Sequence, residues 1–190
     1  GQSADDPELA EAMARAGNVV LPVVGTDPTP SDQAEIVYRE FLYPIPALVN
    51  AAVSLGHANV VPDGDGVMRR IPLVVGDGKG EVYPALILAM LSKHLMVPLP
   101  GNYVAQNGVF HLLDRDIPVD GKDRMRINFV GAPGSFTRIS YADVIEGNFD
   151  PDIVKHKLVL VGVTATGEPD SWVTPTSAEK MYGVEIYANA

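Results

Sequence analysis

The sequence contains no cysteine, and this absence excludes disulfide bridges and thiolate metal sites from the chain. A chain without cysteine suits an oxidising compartment and a reducing one equally, so composition does not choose between them. Basic residues are also scarce: 14 lysines and arginines stand against 24 aspartates and glutamates, which gives a net charge of −10. Because nucleic-acid binding depends on neutralising phosphates, this balance argues against a nucleic-acid partner, and it also disfavours contact with an anionic membrane surface.

Long apolar runs are missing as well. The longest one, from Tyr83 to Leu91, is much shorter than the roughly 20 residues that a helix needs to cross a bilayer. No secretory signal is recognisable. The apolar content of 46% is nevertheless ordinary for a globular protein, and we expect a soluble single domain over residues 1–190 with its own core.

A strand–helix–strand pattern dominates the second half of the chain. Met125–Gly131 and Lys157–Gly162 are short apolar runs that end in glycine, as buried strands do. Between them, Ser140 is a typical helix cap and Gly147 a typical helix stop. This order predicts two parallel strands joined by a right-handed crossover helix.

The loops that follow these two strands are predicted to lie side by side. They are Gly131–Phe136 and Gly162–Pro175, and in open α/β sheets ligands bind at this edge. A ligand site there would use small and polar residues of the two loops and of the segment after them. These candidates are Gly131, Ser135, Thr164, Thr166, Asp170, Thr174 and Glu185.

Two of these features have simpler interpretations. The small-residue run from Val161 to Gly167 lacks both the dinucleotide-binding glycine pattern and a Walker lysine, so it is more typical of a tight strand exit. Asp170 is placed either to accept from a ligand donor or to hold the loop through backbone N–H groups.

The rest of the chain completes an α/β pattern. Further helices are predicted at 7–16, 46–55, 84–95 and 183–190, and strands at 18–24 and 109–113. Segments 57–61 and 67–75 are predicted to form a hairpin around Pro62–Gly66. We therefore expect a mainly parallel sheet with helices on both faces and an inserted β-hairpin.

No motif predicts catalysis, a cofactor or a metal. Asp63 and Asp65 alternate as calcium ligands do, but Val67 and Met68 occupy the next two places of that pattern, so a glycine-rich turn is the better interpretation. The histidines show no metal-binding spacing, and Ser135 lies outside any nucleophile-elbow motif.

Several segments together resemble the CHASE2 domain family. They are FVGAPGSF at 129–136, ISYADV at 139–144, KLVLVGVTA at 157–165, TP at 174–175, GVEIYANA at 183–190, and upstream GHANV at 56–60 and PDGDGVMRRIPL at 62–73. The family normally begins with a further strand, helix and strand that have no counterpart here. Their absence would leave a sheet edge open to pairing with another chain.

The resemblance implies a sensory role. CHASE2 domains are extracytoplasmic sensors of membrane receptors whose cytoplasmic parts are adenylate or guanylate cyclases, diguanylate cyclases, or kinases. It implies a small-molecule ligand or a physical cue outside the membrane, no catalysis in this segment, and membrane contact only through flanking spans. A homodimer is a further expectation, because it would let a small shift of the helix beginning near Gly183 change the spacing of paired spans. The alternative is a soluble α/β enzyme, such as a hydrolase acting at Gly162–Pro175, which would need a nucleophile, a base and an orienting acid in one pocket.

Overall fold

The chain forms two compact units, each built from two stretches of sequence. The computed structural model describes residues 3–29, 36–99, 105–165 and 170–190. Unit 1 is Gly1–Val61 with Arg70–Arg126, and unit 2 is Pro62–Arg69 with Ile127–Ala190. The organisation of residues 1–190 as a single domain stays a prediction. Within the described residues, none of the helices combines the length and the apolar character that crossing a bilayer requires.

Unit 1 holds most of the regular structure. Its helices are α1 (Asp6–Ala16), α2 (Pro46–Ala51) and α3 (Leu86–Leu95). Its strands are β1 (Val20–Thr29), β2 (Ile36–Leu42), β3 (Ser54–His57), β4 (Arg70–Pro72), β5 (Val74–Gly76), β6 (Val82–Pro84), β7 (Val109–Leu112), β8 (Arg115–Pro118) and β9 (Arg124–Arg126).

The main sheet of unit 1 has five strands in the order β3-β1-β2-β5-β6. β1 is parallel to β3, and β2 is parallel to β5, whereas the β1–β2 and β5–β6 pairs are antiparallel. The sheet is therefore mixed. The α/β class is confirmed, but a mainly parallel sheet with helices on both faces is not. Periodicity shows that a segment is a strand, and it does not show which neighbour the strand takes.

Local signals placed α1 and α3 well, whereas the helix predicted at 46–55 ends at Ala51, because Ser54 and Leu55 lie in β3 and pair with β1. Pro7 lies in the first turn of α1, and Gly17 ends it in the left-handed conformation with φ +63°. α3 lies within the predicted helix 84–95. The core of this unit is a cluster of buried apolar residues: Leu73, Val74, Ala85, Leu88, Phe110 and Leu112.

The predicted hairpin at 57–75 is wrong, because its two arms pair elsewhere. Ile71 in β4 pairs with Met125 in β9, and β5 pairs with β2 and β6. Strands of unit 1 that follow each other in the chain and pair antiparallel include β1 with β2, β5 with β6, and β7 with β8. The long apolar run at 67–75 supplies two short strands, each stabilised by packing against a partner distant in sequence, and local turn chemistry cannot compete with that.

Unit 2 contains α4 (Tyr141–Glu146), α5 (Gly183–Asn189) and a two-stranded sheet of β10 (Ser171–Thr174) and β11 (Ser177–Tyr182). Ser140 caps α4 by accepting from the Asp143 N–H, and Gly147 ends it with φ +71°, as predicted. The Met68 N–H donates to the Val173 carbonyl, which ties the 62–69 stretch to β10. The buried side chains of this unit include Met68, Ile127, Met181, Ile186 and Tyr187.

The predicted parallel strands on either side of α4 are not present in the described residues. Of the first run, only Met125 and Arg126 lie in a strand, which is β9, and β9 pairs antiparallel with β4. Lys157–Gly162 is not in a strand, and Val161 within it is 83% exposed. An apolar run has the composition of a strand, but it becomes one only when another segment supplies the ladder hydrogen bonds. The crossover argument for a shared sheet edge therefore does not hold.

Candidate functional site

Helix α5 presents two polar side chains to the segment 130–138, which we call the anchor loop. The Glu185 carboxylate is 5% exposed. Its Oε1 accepts from the Gly134 N–H at 2.6 Å, and its Oε2 accepts from the Arg138 guanidinium at 3.2 Å. A buried carboxylate is stable only when it is paired in this way. One turn later, Asn189 Oδ1 accepts from the Val130 N–H at 2.9 Å.

The Asn189 side chain is fixed on both sides. Its Nδ2 donates to the Glu185 carbonyl at 2.8 Å and contacts the Met181 sulfur at 3.6 Å. The amide oxygen is therefore turned to the anchor loop while the amide nitrogen bonds within the helix. Glu185 and Asn189 stand four residues apart, which places them on one face of α5.

The anchor loop is also braced internally. The Ser135 hydroxyl donates to the Ala132 carbonyl at 2.6 Å, and a Cβ at Gly131 would collide with the Ser135 side chain. Gly134 has φ +92°, a conformation that side-chain-bearing residues rarely adopt. The loop thus reaches Glu185 in a shape that its own sequence dictates.

Asp170 lies at the beginning of α5. Its carbonyl accepts from the Gly183 N–H at 3.1 Å, and its Oδ1 accepts from the Trp172 indole at 3.2 Å. The carboxylate packs so closely against Gly183 that a Cβ there would collide with it. The Asp170 carboxylate thus bonds an indole N–H, and the backbone N–H of Gly183 bonds its main-chain carbonyl, so both interpretations of the Asp170 side chain stay predictions.

The remaining candidates lie in different settings. Thr174 ends β10, is 3% exposed and bonds Thr176 through its hydroxyl at 3.1 Å. Thr164 is exposed, and Thr166 lies outside the described residues. Gly162 contacts α5 through Val184. Both predicted loops therefore reach α5, the first through Val130 and Gly134 and the second through Gly162. Gly131 and Ser135 belong to the first loop and contact each other.

Sequence reasoning missed three residues of this arrangement: Gly134, Arg138 and Asn189. A signal for one of them was present, because Glu185 and Asn189 have the spacing that aligns polar groups along one helix face. The signal for the other two was absent. Gly134 and Glu185 are 51 positions apart, and no local pattern predicts that pairing.

The turn with alternating carboxylates is closed by an arginine. Arg69 contacts Asp65 through two hydrogen bonds of 2.9 Å and Asp63 through one of 3.2 Å. The bonds from Arg69 hold the pKa of Asp65 at about 2. Gly66 has φ +80° and donates to the Asp63 carbonyl at 2.8 Å, which is the predicted glycine-rich turn.

The arrangement around α5 holds a loop in place through hydrogen bonds and an ion pair. Ser135 donates to a backbone carbonyl, and Glu185 is paired with Arg138. In comparisons with known proteins, the family model described as CHASE2 domain matches residues 1–190. No curated protein and no solved structure matches the chain.

Proposed function

Because this chain belongs to the CHASE2 family of extracytoplasmic sensory domains, we propose that it is the non-catalytic sensory domain of a transmembrane receptor. The observation that carries the proposal is the family match over all of residues 1–190. The domain lies in the periplasm or outside the cell, and spans outside this sequence attach it to the membrane. The output enzyme inside the cell is an adenylate or guanylate cyclase, or a sensor kinase.

The ligand is a small molecule bound near the anchor loop and Gly162–Thr174. Both segments contact α5, at Glu185 and at Val184, which supports a common site. Candidate contacts are Gly131, Ser135, Thr164, Thr166, Asp170, Thr174 and Glu185. A ligand there would change the receptor only by binding two arrangements of these segments with different affinity.

The receptor works as a homodimer, and α5 is its output lever. Val159, Val161 and Val163 are 49%, 83% and 56% exposed, an apolar surface typical of an interface between copies. The arrangements we propose differ in how Val184 and Ile186 pack. In a dimer, a small shift of α5 would change the spacing of paired membrane spans.

The full-length receptor offers the test. Gly162→Val distorts the contact with α5, so we expect the output activity to change several-fold while the protein remains inserted in the membrane. Gly64→Ala is the matched control, since its added Cβ meets no atom within 4 Å. Output identical in both variants and the parent would contradict a sensory role.

The alternative is a hydrolase acting at Gly162–Pro175. The hydrogen bonding of Ser135 supports the sensory proposal instead, because its hydroxyl donates to the Ala132 carbonyl rather than to a general base. Hydrolysis of generic ester substrates by the parent that is lost in Ser135→Ala would favour the enzyme.

A further inference from the structure

Two residues of α5 fasten the anchor loop at two separate points. Glu185 accepts hydrogen bonds from the Gly134 N–H and from the Arg138 guanidinium, and Asn189 accepts one from the Val130 N–H. The two attachment points on the helix are one turn apart, and those on the loop are four residues apart. Two hydrogen-bonded positions of this kind prevent the loop from both sliding and rotating against α5, whereas a single hydrogen bond would allow either motion.

The fastenings are also connected to each other. Asn189 Nδ2 donates to the Glu185 carbonyl, so the residue that holds Val130 is bonded to the one that holds Gly134. On the loop side, the Ser135 hydroxyl donates to the Ala132 carbonyl and so braces the backbone beside Gly134. The helix, these hydrogen bonds and the backbone from Val130 to Gly134 thus form a closed ring, in which breaking one bond removes support from the others.

Glu185 is the strongest member of this ring. Its carboxylate is 5% exposed and accepts charge-assisted bonds, while Arg138 is 46% exposed at its side chain. Removing the partners would leave a buried charge uncompensated, so the pairing is costly to break. These contacts favour an anchor loop that keeps its position relative to α5.

We propose that Glu185 and Asn189 act as positioning residues that make the anchor loop and α5 one mechanical body. A displacement of the loop is then passed to α5 instead of being absorbed within the loop. The use of this link in signalling rests on the proposed function, whereas the link between the anchor loop and α5, which we call the tie, is a property of the domain.

Amide hydrogen exchange, followed by NMR on this chain, tests the tie. Asn189→Ala removes the acceptor of the Val130 N–H and leaves the Glu185 side chain in place. If loop and helix are one body, exchange at Gly134 also accelerates, by about tenfold or more, as expected for weakening a bond to a charged acceptor. Glu185→Gln should likewise accelerate exchange at Val130, whose own acceptor is intact.

Glu179→Gln is the matched control, because Glu179 is an exposed glutamate of β11. It should leave both amides unchanged. If each substitution accelerates only the amide it bonds directly, the fastenings are independent and the proposal is wrong. Should Glu185→Gln fail to fold, the Asn189→Ala measurement at Gly134 decides alone.

The two proposals fail in different ways. If exchange at Val130 and Gly134 is coupled but the output activity of the receptor does not respond to changes in this domain, the sensory function is refuted and the link between loop and α5 is retained. Uncoupled exchange would refute the tie, whatever the receptor does.

Discussion

Gly162 lies directly against Val184, the second residue of α5. A Cβ added at Gly162 would stand 2.5 Å from the Val184 Cβ and 2.8 Å from its Cγ2, closer than packed carbon atoms approach. The glycine at the end of this apolar run is therefore required by space, since its φ is not among the positive values found elsewhere in the chain. This contact joins the 157–165 segment to the last helix.

Replacing Gly162 should destabilise the domain through this contact. We expect Gly162→Val to lower the free energy of unfolding by about 1–3 kcal/mol, because either the backbone or Val184 has to shift. Urea denaturation of the parent and the variant measures the difference. Gly64→Ala, which adds a Cβ in open space, should stay within about 0.5 kcal/mol of the parent. Equal midpoints for Gly162→Val and the parent would contradict the contact.

Gly183 gives a second prediction, in which two effects have opposite signs. Alanine is favoured over glycine within a helix by about 1 kcal/mol, yet a Cβ at Gly183 would collide with the Asp170 carboxylate. We expect the collision to dominate, so Gly183→Ala should be less stable than the parent.

A double-mutant cycle with Asp170→Ala isolates this collision. In the Asp170→Ala background, Gly183→Ala should cost less by about 1 kcal/mol or more, because the obstructing carboxylate is gone. Denaturant melts of the four proteins supply the cycle. Additive free energies would show that Asp170 and Gly183 do not restrict each other.

His57 makes the stability of unit 1 depend on pH. It ends β3, is fully buried, and its Nδ1 accepts from the Asn59 N–H at 3.3 Å. Burial lowers the pKa of His57 from 6.5 to about 3, although a hydrogen bond with the backbone of Pro72 opposes the shift. The folded state therefore keeps the imidazole neutral while the unfolded chain protonates it.

The sign follows from this difference. Above pH 6.5 both states are neutral and stability is full, and between 6.5 and 3 the unfolded state binds the extra proton, so stability falls as pH falls. The expected loss is about 2 kcal/mol between pH 7.5 and 5.0. Urea unfolding at both pH values checks it, and His57→Gln should flatten the dependence. The same slope in variant and parent would assign the effect to other groups.

Sequence signals that act within one turn of chain predicted their elements correctly. Ser140 and Gly147 bound α4, and Gly17 ends α1, because caps and left-handed stops depend on a few adjacent residues. The last helix was also predicted correctly, since α5 begins at the predicted Gly183.

The sequence did not predict strand pairing or hydrogen bonds between residues that are far apart in the chain. Lys157–Gly162 has the composition of a buried strand, but composition does not supply a neighbour for it. The sequence predicts Glu185 as a polar group near a loop, whereas its bonds are to Gly134 and Arg138, residues far from it in sequence. Of the site, the sequence therefore indicated some of the members but not the bonds between them.

The most direct test of the sensory account locks the ends of α5 in the full-length receptor. Ala190→Cys introduces a thiol next to Asn189 in a segment that has no cysteine of its own. In a homodimer whose α5 helices act as levers, oxidation should form an interchain disulfide and change the output activity several-fold, and reduction should restore it. A disulfide that forms without changing the output would contradict the lever, and a thiol that forms no interchain disulfide would contradict the dimer.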